Sequence, residues 1–386
     1  MNFSFSGKKI LIISPNYWGK MFVSKHHFAN ELSKLGNDVV FLNPADLSKQ
    51  YYEEEKINSN LTVVHFKPIY RGQRFMPSFI FRILVWIQVK FLLWKMKRKL
   101  DVIWSFSSSV FNNLNWFGGK IRLYYVADQV LSKDELFTAK SSTLIMANIA
   151  FLFDNFIDFN KPCFFINHGL SEEFATIAKQ NLLNESIYSL PKDKVRIAFV
   201  GNLLKKFIDR KCFMQIIREN PECEFSIYGS YEYDNSNLGS YKSAEVIEFI
   251  DFLKISPNVI LKGVFESPKL ASEIQQYDAF LLVIDAMNDD NKGWNSHKVI
   301  EYLSTGNVLI SNYMHSYENF RDIIQMVDDY SNEELPELVK ITIRNLPYLN
   351  RPEIRNKRIR FALENTYLKH ISLIEQFVNQ TKQNEP

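Results

Sequence analysis

Short apolar runs alternate with stretches of helical spacing along the first half of the chain. Residues 8–14 (KKILIIS) form an apolar, β-branched run between polar neighbours, which is typical of a parallel strand buried on both faces. The spacing predicts a helix over about 24–35, ended by Gly36, and a second strand at 39–42. Further strands are predicted at 61–66, 101–106, 122–127 and 162–167.

The same pattern restarts in the second half, after a polar connector near 179–194. Residues 194–204 predict a buried strand that runs into a glycine loop, and FSIYGS, NVILKGVF, AFLLVID and NVLIS predict its successors. This alternation predicts an α/β protein with two doubly wound parallel sheets. We therefore expect a Rossmann-like domain over 1–185, a second over 186–360 and a closing helix over 361–386. Ligands of such sheets bind at the carboxyl ends of the strands, so a cleft between the domains is the expected site.

Composition and charge narrow the class of protein. Hydrophobic residues make up 46% of the 386 positions and charged residues 23%, as in ordinary globular proteins. A net charge of +3, with Lys and Arg spread along most of the chain, argues against nucleic-acid binding. Cys163, Cys212 and Cys223 have no zinc-site spacing, so we expect three reduced cysteines in the core of a cytoplasmic protein. The opening apolar run is too short for a signal peptide.

One segment, residues 293–311 (GWNSHKVIEYLSTGNVLIS), carries the strongest candidate chemistry. It predicts a loop, a short helix and a buried strand, and the helix opens with small and polar residues, Asn295, Ser296 and His297. A helix N-terminus carries about half a positive charge and suits a diphosphate, with Lys298 as an added cation. Glu301 lies on the same helix face, and its two acceptor oxygens suit paired ribose hydroxyls. The alternative is an ordinary Lys–Glu pair on the surface of a helix.

Several segments of the second half follow one another in an informative order: FVGNLLKK, FSIYG, VILKGVFESPKLASEIQQYDAFLLVI and NSHKVIEYLSTGNVLIS. Together with INHGLSEEF (166–174) and the opening strand, loop and helix, they resemble GT-B glycosyltransferases, most of all family 4 and its relatives in bacterial surface-polysaccharide synthesis. The resemblance implies a nucleotide-sugar donor, a glycan or lipid-linked acceptor and retention of the anomeric configuration. It implies no metal and no cofactor, since the nucleotide-sugar is a substrate.

The resemblance also implies which positions bind the donor. A basic residue after the strand near 200 is expected to contact the diphosphate. The three candidates are Lys205, Lys206 and Arg210. Gly201, followed by Asn202, permits close approach of the backbone. The base is expected between two segments, Tyr228–Gly229 and Gly263–Val264. The diphosphate and ribose are expected on the later helix, at Asn295, Ser296, His297, Lys298 and Glu301.

The first domain offers weaker candidates. The loop after the first strand is expected to face the leaving phosphate and the acceptor, and it carries one glycine, Gly19, where a pair is more usual. Either His26 or His27 suits an acid–base role, with helix packing as the alternative, and of the two we favour His27. Asp128 follows a predicted strand and is the second catalytic candidate. His168 is expected to be structural.

An acidic stretch at 288–291 (NDDN) raises the question of a metal. Asp-rich loops hold Mg²⁺ in other transferases. This stretch has no Asp-x-Asp pattern after a strand, and GT-B enzymes work without a bound metal. We therefore interpret it as a solvated loop.

Residues 78–100 (SFIFRILVWIQVKFLLWKMKRKL) are apolar until a basic end. Polar residues interrupt the run, so it is too short to span a bilayer. One interpretation is a buried helix. The other is a helix that lies on an anionic membrane, at the inner face of the cytoplasmic membrane, which suits a lipid-linked acceptor.

Two other functions fit the same sequence pattern. A nucleotide-sugar epimerase or a phosphorylase would use the same fold, and a phosphorylase would need a pyridoxal-phosphate lysine. A non-catalytic binding or scaffold subunit is the second alternative. Family 4 members often carry two glutamates separated by seven residues, and here the second is Glu301 while the first position is Gly293.

Overall fold

The computed structural model describes most of the chain, namely residues 3–19, 22–69, 76–108, 110–126, 132–183, 193–233, 241–288 and 295–383. The chain divides into two compact units. Unit 1 comprises Met1–Asn167 and Tyr367–Pro386, and unit 2 comprises His168–Thr366. Each unit is built around one open sheet, so the predicted pair of α/β domains is confirmed.

The sheet of unit 1 has eight strands in the order β3-β4-β2-β1-β5-β6-β7-β8. Every neighbouring pair is parallel except the edge pair β3 and β4. The strands are β1 Lys9–Ile13, β2 Asp38–Leu42, β3 Glu53–Lys56, β4 Leu61–His65, β5 Val102–Ser105, β6 Ile121–Val126, β7 Leu144–Ala147 and β8 Cys163–Phe165.

The sheet of unit 2 has six parallel strands in the order β11-β10-β9-β12-β13-β14. Its strands are β9 Arg196–Val200, β10 Glu224–Tyr228, β11 Val259–Gly263, β12 Ala279–Leu282, β13 Val308–Ser311 and β14 Ile324–Met326. The order turns back at β9, whose two neighbours are β10 and β12. Such a switch point opens a crevice at the carboxyl ends of the strands.

Helices cover both sheets. Those of unit 1 are α1 Ser24–Lys34, α2 Ser78–Met96, α3 Lys133–Ser141 and α12 Tyr367–Gln383, with 3-10 helices at Leu114–Phe117 and Ala150–Phe159. Those of unit 2 are α4 Glu172–Leu183, α5 Arg210–Glu219, α6 Ala244–Ile255, α7 Ser267–Glu273, α8 His297–Leu303, α9 Leu335–Arg344, α10 Leu346–Leu349 and α11 Pro352–Glu364, with 3-10 helices at Ile274–Gln276 and His315–Phe320.

The central strands are buried on both faces, as their unbroken apolar runs predict. In β9, Ile197 and Phe199 enter one hydrophobic core, while Ala198 and Val200 enter the core on the opposite face. The strand β1 divides its residues between two cores in the same way. Apolar and polar residues do not alternate in these strands, because a strand that is covered on both faces exposes neither face to solvent.

The division into units differs from the boundaries that the sequence suggests. The junction between 185 and 186 lies outside the described residues, but α4 packs against α7 and α11 inside unit 2. The division therefore falls before α4, after Asn167. At the other end, α12 packs on α1, which places residues from Tyr367 onward in unit 1.

The closing helix is present, but it begins at Tyr367 and not at 361. The main-chain N–H of Leu170 donates to the carbonyl of Asn365 at 2.7 Å, and Leu170 also forms a parallel bridge with Thr366. These contacts take the backbone of residues 365 and 366 out of helical pairing. The helical pattern is therefore split into α11 and α12.

Helix α2 is buried along one side only. Its inner side carries Phe81, Val85, Val89 and Leu92, while Phe79, Ile83, Trp86 and Trp94 are exposed on the outer side. The interpretation of 78–100 as a buried helix therefore applies to its inner side and not to its outer side. Among the helices of the described residues, none is long and apolar enough to cross a membrane.

Candidate functional site

Helix α8 is bonded directly to the switch point of the unit 2 sheet. The hydroxyl of Tyr302 accepts a hydrogen bond from the main-chain N–H of Val200 at 2.7 Å and lies 3.4 Å from the carbonyl oxygen of the same residue, to which it donates. The Tyr302 ring is fully buried and stacks on Phe280 of β12 with centroids 4.4 Å apart. One side chain thus fixes α8 against the carboxyl end of β9.

The first turn of α8 is capped by its own residues. The hydroxyl of Ser296 accepts from the N–H of Lys298 at 3.2 Å, and the carbonyl of Ser296 accepts from the N–H of Val299 at 3.1 Å. The helix has seven residues. Ser296 therefore satisfies two of the N–H groups that were predicted to face a diphosphate. At this end, an anion would depend chiefly on the Lys298 side chain.

Asn295 is held in place from two directions. The Nε2 of His168 donates to the Asn295 carbonyl at 2.7 Å, and the Tyr317 hydroxyl donates to Asn295 Oδ1 at 3.1 Å. The ring of His297 lies edge-on to that of His168 with centroids 6.0 Å apart. Asn295 is thus a buried support for the start of α8, and His168 helps to hold it in place. Nothing in the sequence pattern singles out Tyr317.

Lys298 and Glu301 form a close ion pair. The ammonium of Lys298 lies 2.7 Å from Glu301 Oε2, and each side chain is only 17% exposed. His297 Nε2 lies 3.9 Å from the other carboxylate oxygen, Oε1. The pair is therefore set into the protein rather than spread on a solvated helix face. Two opposite charges are held there with their remaining hydrogen-bonding capacity available to a ligand.

Glycines tie together the ends of three neighbouring strands. The N–H of Gly201 donates to the Tyr228 carbonyl, and the N–H of Gly229 donates to the Gly263 carbonyl, both at 2.8 Å. At Gly229 the φ angle is +133°, and an added Cβ would lie 1.9 Å from the carbonyl oxygen of Gly201. Only glycine fits there, because the backbones of these two loops touch.

The side chains beside these glycines differ in their contacts. The Tyr228 hydroxyl lies 2.6 Å from that of Tyr277 in the buried interior. Val264 is 67% exposed, beyond the end of β11. Asn202 accepts a hydrogen bond from the N–H of Leu204 at 2.9 Å and so shapes the turn after β9. Tyr228 therefore supports the site from beneath, and Val264 is available at its surface.

The three basic candidates after β9 fall into two groups. Lys205 and Lys206 are exposed, whereas Arg210 is 3% exposed. The Arg210 guanidinium donates to the carbonyls of Lys205 at 2.5 Å and Ile208 at 3.3 Å, and burial lowers its pKa. Arg210 thus braces the loop from inside. The two lysines are the cations that this loop presents to solvent.

In unit 1, the two adjacent histidines of α1 have different surroundings. His26 is fully buried, accepts from the N–H of Val23 at 3.1 Å and lies 3.1 Å from the Tyr17 carbonyl. Burial lowers its pKa to about 4, so it is neutral at pH 7. His27 is half-buried and stacks on Tyr367 with centroids 4.8 Å apart. Gly19 is exposed in the loop before them.

Several predicted positions lie outside the described residues. Asp128, Gly293 and the two aspartates of NDDN, Asp289 and Asp290, belong to this group. Within the described ranges, no group of three or more His, Cys, Asp or Glu residues could hold a metal ion. Cys212 and Cys223 are buried free thiols, as predicted, and Cys163 is a partly exposed one.

One buried titratable group in unit 1 is not predicted from the sequence. Glu135, on α3, is 2% exposed, and its Oε1 accepts a hydrogen bond from the Tyr124 hydroxyl at 3.1 Å. Burial raises the pKa of Glu135 to about 7, although the bond from Tyr124 works in the opposite direction. The surrounding sequence KDELF resembles any polar helix start, so no pattern distinguishes this carboxyl.

No family model matches the chain, and no curated protein matches it. Solved structures do. A sucrose-phosphate synthase from Thermosynechococcus elongatus has a TM-score of 0.70 at 11% identity, covering 97% of this chain and 99% of that one. HepE from Anabaena, in complex with UDP and glucose, has a TM-score of 0.63 at 12% identity, covering 98% and 100%.

A third similar structure is a UDP-forming α,α-trehalose-phosphate synthase from Burkholderia xenovorans. Its TM-score is 0.65 at 12% identity, and the match covers 98% of this chain and 99% of that one. All three matches span nearly the whole length of both chains, so they concern both units. The chain has the GT-B fold of these glycosyltransferases.

Proposed function

We propose that the chain is a glycosyltransferase that moves a sugar from a nucleotide-sugar donor to a glycan or lipid-linked acceptor. The observation that carries this proposal is the attachment of α8 to the switch point: Tyr302 bonds to Val200, and the same helix holds the Lys298–Glu301 pair. The GT-B fold over nearly the whole chain supports it. Two of the similar structures involve UDP by name, so UDP-sugars are the first donors to test.

The donor's diphosphate is proposed to lie against Lys298. A lysine ammonium is a compact charge with three donors, and in the unliganded protein its partner is Glu301 at 2.7 Å. When a nucleotide binds, the diphosphate shares this cation, while the carboxylate accepts hydrogen bonds from the two ribose hydroxyls. The diphosphate and the ribose then take over the contact that Lys298 and Glu301 make with each other in the unliganded protein. Little reorganisation of these two side chains is needed.

The glycine-tied strand ends complete the proposed donor site. Close contact at Gly201 and Gly229 removes side chains from the crevice, so that the nucleotide can approach the backbone. The exposed Lys205 and Lys206 add positive charge after β9. Positive groups fixed around the departing diphosphate stabilise the negative charge that develops as the sugar leaves. Arg210 contributes indirectly, by holding the loop from which the lysines project.

The finer assignments are proposals of the same kind. We propose retention of the anomeric configuration, a metal- and cofactor-independent reaction and a role in surface-polysaccharide synthesis, as the family resemblance implies. His27 and Asp128 remain the acid–base candidates on unit 1. We also propose peripheral attachment at the inner face of the cytoplasmic membrane through α2, whose outer side is apolar and aromatic.

A thermal-shift panel tests the donor class. The unfolding temperature of the chain is measured with UDP-, GDP-, CDP- and ADP-sugars, and one nucleotide is expected to raise it well above the others. Lys298→Ala should remove this rise. Lys254→Ala, at an exposed lysine on α6, removes the same charge elsewhere in unit 2 and should leave the rise unchanged. If no nucleotide raises the unfolding temperature, the proposal is wrong.

A further inference from the structure

A groove of about 610 Å³ lies on unit 1, apart from the residues proposed for the donor. Its walls come from the segment before β3, the segment after β4 and the second half of α2. Three lysines line it, Lys49, Lys67 and Lys95, together with aromatic side chains that include Tyr51, Phe91 and Trp94. A wall of this composition combines positive charge with apolar surface.

The lining of this groove carries positive charge but no negative charge. None of its nine lining residues is acidic. Two glutamates of β3 lie nearby: Glu54 accepts from the hydroxyl of Tyr52, a wall residue, and Glu55 lies 3.0 Å from His65 Nε2. Within the described ranges, none of the three groove lysines forms an ion pair. The Asp46 carboxylate interacts electrostatically with Lys49, but it forms no ion pair with it, so the positive charge of the groove remains available to an anionic partner.

Two of the three lysines lie over aromatic rings instead. The Lys67 ammonium lies 5.7 Å from the centre of the Tyr51 ring, and the Lys95 ammonium lies 4.9 Å from that of Trp94. Such contacts steady a cation without cancelling its charge. Tyr and Trp are also the residues that favour the boundary between lipid chains and water.

The exposed side of α2 continues from the groove. Phe79 and Trp94, 63% and 65% exposed, mark the ends of a stripe that also contains Ile83 and Trp86. Lys90 lies in the same stripe, with its ammonium 5.8 Å from the Trp86 ring. A helix side with large apolar residues and interspersed lysines suits insertion at the level of lipid headgroups.

A buried polar residue fixes the groove to the helix. Gln88, fully buried among apolar neighbours on α2, accepts a hydrogen bond from the Ile69 N–H at 2.8 Å. Ile69 is itself a wall residue. This bond holds the segment after β4 against α2, so the groove and the stripe form one continuous surface.

We propose that this groove binds the phosphate of an anionic lipid headgroup while the outer side of α2 enters the bilayer interface. The inference rests on the proposed membrane attachment and gives it a specific contact. Lys49, Lys67 and Lys95 surround the phosphate, and Trp94 lies where headgroup and acyl chain meet. Diffuse attraction of basic residues to a negative surface would not distinguish these three lysines from others on unit 1.

Vesicle co-sedimentation of the full chain tests the proposal. Two kinds of vesicle are compared at one ionic strength, phosphatidylcholine alone and an equal mixture with phosphatidylglycerol. The groove variant carries Lys49→Gln, Lys67→Gln and Lys95→Gln. The control variant removes the same charge from exposed lysines outside the groove, through Lys9→Gln, Lys56→Gln and Lys120→Gln.

The wild-type chain should bind the anionic vesicles more tightly, and the groove variant should lose about 100-fold in partitioning, since each nearby lysine contributes about fivefold. The control variant should lose much less. A further variant with Phe79→Ser, Trp86→Ser and Trp94→Ser should lose binding to both kinds of vesicle. Equal losses in the groove and control variants, or a wild-type chain that ignores anionic vesicles, would overturn the inference.

Nucleotide binding is measured on the same preparations. The groove lies outside the proposed donor site, so the groove variant should bind nucleotide as the wild type does and unfold at the same temperature. A wild-type chain that binds nucleotide but ignores anionic vesicles contradicts the headgroup site alone. Vesicle binding without any nucleotide binding leaves the headgroup site standing and contradicts the proposed donor chemistry.

Discussion

The Tyr302 hydroxyl and the main chain of Val200 are bonded across 102 residues of sequence, with the N–H to hydroxyl distance at 2.7 Å. Both partners are buried. Because Tyr302 belongs to α8 and Val200 ends β9, this contact sets the distance between the Lys298–Glu301 pair and the loop that starts at Gly201. The proposed donor site thus depends on a contact made beneath it.

Tyr302→Phe should destabilise unit 2 by about 1–3 kcal/mol, since it leaves the buried N–H of Val200 without a partner. Nucleotide binding should weaken as well, because α8 loses its attachment. Chemical denaturation and calorimetry measure the two effects. Tyr348→Phe, at a tyrosine that is 62% exposed, removes a hydroxyl from the same unit and should change neither. Equal stability of the two variants would contradict the assigned contact.

Gly229→Ala should destabilise unit 2 by at least about 3 kcal/mol, because the new Cβ would collide with the Gly201 carbonyl at a φ that L-residues avoid. Gly19→Ala is the matched control. At Gly19 an added Cβ meets nothing within 4 Å. Denaturation curves of the two variants give the comparison. A Gly229 variant as stable as the Gly19 variant would show that the two strand ends are not in contact.

The stability of unit 1 should depend on the protonation of Glu135. Its folded pKa of about 7 lies above the ordinary value of 4.5, so the folded state binds the proton more tightly. The stabilisation is complete below about pH 4.5 and is lost as the pH rises through 7. Glu135→Gln should remove this slope and unfold at a higher temperature than wild type at pH 8. The melting temperatures of both proteins between pH 4 and 8 provide the check, and parallel curves would contradict it.

Glu301→Gln should weaken nucleotide binding about 10- to 100-fold, the expected loss of charge-assisted hydrogen bonds to the ribose. Glutamine keeps the volume of the side chain. Isothermal calorimetry measures the affinity of each variant for the nucleotide that raises the unfolding temperature in the thermal-shift panel. Glu248→Gln, at an exposed glutamate of α6, is the control. Unchanged affinity in the Glu301 variant would exclude the ribose contact.

The sequence predicts the central strands well because burial on both faces leaves a clear apolar signature. The sequence does not predict β3, because this edge strand consists of Glu53, Glu54, Glu55 and Lys56, all of them exposed, and so carries no apolar signature. β7 and β14 are short, four and three residues, and neither stands out from its surroundings. A strand can be predicted from its own residues only where their burial leaves an apolar pattern in the sequence.

The sequence predicts the Lys298–Glu301 pair of the candidate site but not the hydrogen bonds that hold the site in place. The Lys298–Glu301 pair follows from helical spacing, and it is found at 2.7 Å. These hydrogen bonds, from Tyr317 to Asn295 and from Val200 to Tyr302, cannot be predicted from the sequence, because only the folded chain brings their partners together. Arg210 shows the converse: a basic residue in a loop suggests exposure, yet its guanidinium is buried against carbonyls of its own loop.

The role proposed for α8 is to carry the diphosphate of a donor whose sugar the protein transfers. Its most direct test is the slow hydrolysis of one nucleotide-sugar in the absence of acceptor, followed by release of the nucleoside diphosphate. We predict turnover that is insensitive to EDTA, abolished by Lys298→Ala and retained by Lys254→Ala. Turnover by the Lys298 variant at the wild-type rate, or tight nucleotide binding with no turnover even when lipid acceptors are supplied, would contradict the account.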